Sequence, residues 1–131
     1  FLPANHPFRD SLEAIFKRHA RLAAGAQAAV EAMGLEIFPK DLRSECVTAV
    51  RVPEGVNGKA IPDRMQDRYG VTIAGGQGEL TGKIFRIGHL GYVDESDILT
   101  AVGALENVLS DLGRKTERGA GVAAAQRVFL Q

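Results

Sequence analysis

The run Lys83-Ile84-Phe85-Arg86-Ile87-Gly88-His89-Leu90-Gly91 constrains this chain more than any other stretch. Ile84, Phe85 and Ile87 are the β-branched and aromatic residues of a strand covered on both faces. Arg86 interrupts them. Side chains alternate along a strand, so Arg86 shares a face with Ile84 and Gly88, while Phe85 and Ile87 point the other way. A guanidinium is seldom buried without a partner. The fold must therefore bring Arg86 water, a carboxylate of this chain, or a carboxylate that arrives as ligand. Its planar fork of five donors suits a two-oxygen anion better than a lysine would.

The flanking segments supply helices. Leu12, Ile15, Phe16, His19, Leu22, Ala23, Ala26, Val30 and Met33 recur at spacings of three and four, the stripe of an amphipathic helix. Asp10 or Ser11 caps it and Gly34 stops it, with residues 1–10 irregular ahead of it. A helix this long in so small a domain predicts a spine that leans on something else. Leu35–Phe38 and Val47–Val52 read as strands, and a helix starting near Gly58 to Ala60 stacks Ile61, Met65 and Tyr69 before Gly70. Val71–Ala74 is a further strand. Asp94 opens the last long helix with Asp97 as its capping-box partner, and Ile98, Val102, Leu105, Val108 or Leu109, and Leu112 form its stripe up to Gly113.

This order predicts an α+β fold: a small, mainly antiparallel sheet of three or four strands with helices on one face. The other face would carry Arg86, as a surface for domain closure should. The expected organisation is an irregular segment 1–10, a folded domain 11–113, and a tail 114–131 that is mobile or docked on a neighbour.

At 131 residues the chain suits one domain. Sixteen basic and sixteen acidic residues cancel, so no net field draws it to nucleic acid or a membrane surface. Cys46 is the only cysteine, which excludes an intramolecular disulfide and a multi-cysteine metal site and leaves an idle thiol in a reducing cytoplasm as the expectation. No run approaches the ~18 apolar residues of a membrane span, and the start lacks the pattern of a signal peptide. Phe1, standing where a methionine would open a chain, makes a piece of something larger the expectation.

From about Arg51 to Gly113 the sequence resembles the C-terminal small domain of class V, fold-type I, aminotransferases that depend on pyridoxal 5'-phosphate. The alanine–glyoxylate and serine–glyoxylate (serine–pyruvate) group is the most similar, and some of its bacterial members are labelled soluble hydrogenase 42 kDa subunit. The Phe85-Arg86-Ile87-Gly88-His89-Leu90-Gly91 run is the most specific part, with Gly75-Gly76-Gln77-Gly78 before it and the long helix after it in the same order. The resemblance implies that Arg86 grips the α-carboxylate of a small amino acid or 2-oxo acid. It also implies that the cofactor is held mainly by a large domain absent from this sequence, that this large domain is the chain's partner, and that the whole protein is a homodimer. A lysine must carry the cofactor as a Schiff base, yet Lys17, Lys40, Lys59, Lys83 and Lys115 all lie in polar contexts outside the family's motif. This polypeptide alone is therefore not expected to transaminate.

Gly75, Gly76, Gln77 and Gly78 read either as a connection between strands or as a lid loop that folds over substrate. They are no phosphate cradle, because they lead into a strand and not a helix N-terminus. His89 is more simply a turn residue than an acid–base group. His6 and His19 have no partner at ligand spacing for a metal. Glu54, Glu79, Asp94 and Glu95 read as turn and cap carboxylates. The rival reading is a free-standing α+β module that binds an amino acid without chemistry. The reading frame upstream of Phe1 separates the two.

Overall fold

In the computed structural model, residues 7–38, 47–88, 94–115 and 117–131 are described, with side chains from Leu12 onward. Helices α1 (Pro7–Ala32), α2 (Ala60–Tyr69), α3 (Glu95–Asp111) and α4 (Ala120–Phe129) surround strands β1 (Val47–Arg51), β2 (Ala74–Gly75) and β3 (Ile84–Gly88). The sheet is antiparallel, in the order β1-β3-β2, so the arginine-bearing strand is its centre.

Register assigns the two faces. Val50 lies opposite Phe85 and Thr48 opposite Ile87, and all four are buried. This face packs against Leu22, Ala26 and Val30 of α1, Met65 of α2, and Ile98, Val102, Leu105 and Leu109 of α3. Fully burying an aliphatic or aromatic side chain contributes roughly 1.5–3 kcal/mol, so this layer is what holds the strands in register. The opposite face carries Ala49, Arg51, Arg86, Gly88 and Ala74, none of them buried, with Ile84 as its one buried member among the described residues.

Gly34, Gly70 and Gly113 take positive φ at the ends of α1, α2 and α3, and the next residue's N–H returns to a carbonyl of the last helical turns, Leu35 to Val30 O, Val71 to Met65 O and Arg114 to Leu109 O. At α2 this has a cost for the sheet. Val71 donates its N–H to Met65 O, so that group is not free to join a ladder, and the Thr72 hydroxyl donates back to Gln66 Oε1 on the helix. The predicted strand Val71–Ala74 is thus reduced to Ala74–Gly75, and Leu35–Phe38 to a single bridge between Ile37 and Val50. Asp94 and Asp97 form a complete capping box at 2.9 Å in both directions.

Three expectations change. Helix α1 begins at Pro7, ahead of the Asp10 or Ser11 cap, so residues 7–10 are helical and not irregular. Its apolar stripe is not buried throughout: Leu22, Ala23, Ala26 and Val30 are buried, but Leu12, Ile15 and Phe16 are exposed. The third concerns the tail. Residues 120–129 are helix α4, laid antiparallel on α1 of the same chain, with Gly121 beside Met33 and Phe129 against Gly25. Small residues let the two backbones approach, and Ala125 and Phe129 are buried. Gly119 opens α4 without a side-chain cap of its own. Glu106 of α3, itself buried, serves instead, accepting from the N–H groups of Gly119 (2.7 Å), Gly121 (2.8 Å) and Val122 (3.2 Å).

Candidate functional site

β3 sets Arg86 in a cross-strand row between Ala49 of β1 and Ala74 of β2. Two methyl groups are the smallest side walls available, so the arginine is not crowded on its own face. The ladder then decides where it reaches. Gly76 donates to Ile84 O at 3.1 Å, which makes Gly75 and Phe85 the non-hydrogen-bonded pair between two bonded ones. The Gly75 carbonyl therefore points away from β3, off the open edge of the sheet. Arg86 Nε donates to it at 3.1 Å. The stem must pass over Ala74 to do so, and the guanidinium comes to rest at that free edge.

This contact uses one of five N–H groups. Among the described residues Arg86 has no carboxylate partner, although Arg21, Arg51 and Arg68 pair with Glu95, Glu36 and Asp111. Arg86 is half-buried, so its four remaining donors meet water or an arriving acceptor.

The glycine-rich segment has a defined shape. Gly75 belongs to β2, and Gly78–Leu80 is a single 3-10 turn closed by Leu80 N–H to Gln77 O at 3.0 Å. Gln77 and Gly78 are exposed at its tip, while Gly76 is half-buried and packed tightly. A Cβ on Gly76 would run into the Leu80 carbonyl and Ile84, whereas one on Gly75 would meet only Pro62 Cγ at 3.8 Å. Sequence reasoning missed the Gly75 carbonyl as a partner for Arg86, because a main-chain acceptor carries no residue-type signal.

Two cavities are lined by described residues. A hollow of about 360 Å³ is lined by Glu36, Arg51, Glu54 and Arg114, and Arg114 caps the end of α1 through Met33 O at 3.1 Å. A smaller one of about 130 Å³ lies between Ile73, Ile87 and Ile98. Arg86 lines neither. His89, His6, Lys40 and Cys46 fall outside the described residues. His19 Nε2 is buried without a hydrogen-bond partner, and no group of three metal-ligating side chains occurs, among the described residues. No helix there is long and apolar enough to cross a membrane. Lys17, Lys59, Lys83 and Lys115 are all exposed.

No family model matches the chain. Individual relatives do. It is 50% identical over 122 residues to the soluble hydrogenase small subunit of Synechococcus sp. (strain PCC 6716), covering 92% of this chain and 32% of that one. It is 42% identical over 126 residues to serine–glyoxylate aminotransferase of Arabidopsis thaliana, covering 95% and 31%. The crystal structure of ureidoglycine–glyoxylate aminotransferase from Bacillus subtilis superposes with a TM-score of 0.88 at 33% identity, over 95% of this chain and 33% of that one. The chain thus spans about a third of the length of the relatives it matches.

Proposed function

The chain belongs to the class V aminotransferases, as the counterpart of their C-terminal small domain, and we propose that within the whole protein its task is to hold the substrate carboxylate on Arg86. The observation that carries this reading is the state of that guanidinium: fixed at Nε by Gly75 O, flanked by alanines, and without a carboxylate of its own chain among the described residues. An Arg86 committed to an internal ion pair would have no capacity for a ligand.

The substrates are small amino acids and 2-oxo acids, with serine or alanine as donor and glyoxylate or another 2-oxo acid as acceptor. The relatives depend on pyridoxal phosphate, which supplies the electron sink for amino-group transfer. In the whole protein that cofactor belongs to the segment these residues do not include. This chain's contribution is orientation. A bidentate arginine–carboxylate pair fixes one end of the substrate and so the direction of the bond that must break. The exposed Leu12, Ile15 and Phe16 of α1 offer the remainder of the protein an apolar face. Closure of that remainder over the sheet edge would then desolvate the pair, with Gln77 and Gly78 at its rim.

In the full-length protein, Arg86→Ala should raise KM for amino and 2-oxo acids by ~10²-fold, the loss of a charge-assisted pair of about 2–4 kcal/mol. Arg86→Lys should recover only part of it, because lysine lacks the fork. An unchanged KM in both variants removes the proposed role.

A further inference from the structure

Gly75 and Gly76 do more than connect two strands. Resting on the reading of Arg86 as the carboxylate-binding group, we infer that they are positioning residues: the Gly75 carbonyl claims Nε and thereby leaves the substrate the terminal Nη1/Nη2 edge of the guanidinium.

A guanidinium offers a carboxylate two double-donor edges, one made of Nε and one Nη, the other of the two Nη groups. The Nε contact to Gly75 O removes the first edge from use. That carbonyl is available because Gly75 occupies a non-hydrogen-bonded position of an edge strand, so no ladder partner competes for it. Its direction depends on the next residue. Gly76 N–H is pinned to Ile84 O, and its Cα lies too close to the Leu80 carbonyl and Ile84 to carry a Cβ. Glycine at 76 is therefore what allows the turn to tuck in and the carbonyl one residue earlier to point at Arg86. The consequence is an end-on pair: both carboxylate oxygens on Nη1 and Nη2, in line with the arginine stem and beyond the sheet edge.

Two measurements on the full-length protein test this. In a crystal structure with pyruvate bound, the carboxylate should sit on Nη1 and Nη2 with the Nε–Gly75 contact intact. A carboxylate on the Nε edge with that contact broken overturns the inference and leaves the arginine's role standing. A carboxylate bound away from Arg86 overturns both. In solution, Gly76→Ala should weaken pyruvate binding by about tenfold, the worth of one misaligned hydrogen bond, and leave pyruvamide binding unchanged. If Gly76→Ala binds pyruvate normally while Arg86→Ala does not, the positioning role is wrong. If Gly76→Ala weakens pyruvate and pyruvamide alike, the glycine serves the fold alone and the inference is equally overturned.

Discussion

Arg86 is the residue on which sequence and structure converge by different routes. A lone cation in an apolar strand demanded a partner, and alternation put it on the face opposite Phe85 and Ile87. Both statements hold in the fold. What the sequence could not supply was the first of those partners, because Gly75 O is a main-chain atom whose direction depends on ladder register. The small neighbours matter too. Ala74→Leu would put a branched side chain in the path of the stem, and it should raise KM for 2-oxo acids by about tenfold. Thermal unfolding should barely change, since residue 74 is exposed. A KM unaltered in that variant would mean that the arginine reaches its ligand by another route.

Among the elements, the helices carrying large apolar residues were legible and the one built from small residues was not. Ile98, Val102, Leu105 and Leu109 announce α3, and all four are buried. Helix α4 has only alanine and glycine at its inner positions until Phe129, and its cap comes from Glu106, thirteen residues before the Gly119 whose N–H it accepts. Neither signal is local, so the tail read as loose. Glu106→Ala would strip three N–H groups of their acceptor. It should cost about 3 kcal/mol, lower Tm by about 10 °C, and accelerate hydrogen exchange across residues 120–129 before the rest of the chain. Exchange rising uniformly would show that α4 is not a separable element. At the other end of the same contact, Gly25→Ala forces the Phe129 ring aside and should destabilise by about 1–3 kcal/mol in chemical denaturation.

Among the described residues, the start of α1 presents an apolar face that nothing covers. The buried half of α1 is clasped by α4 and the sheet layer, while Leu12, Ile15 and Phe16 extend past the end of α4 with nothing among the described residues to cover them. A stripe read from sequence cannot say whether its cover lies in the same chain, which is why one continuous stripe resolved into two halves. Phe16→Glu should leave the secondary structure intact and weaken attachment of the remainder of the protein, seen as faster proteolysis between the two parts. The whole account turns on whether Arg86 meets a substrate carboxylate. The most direct measurement is the affinity of the full-length protein for pyruvate and for pyruvamide, each with Arg86 and with Arg86→Ala. A carboxylate grip predicts that the substitution lowers pyruvate affinity by ~10²-fold and leaves pyruvamide affinity as it was. Equal losses for both ligands, or a loss for neither, would contradict it.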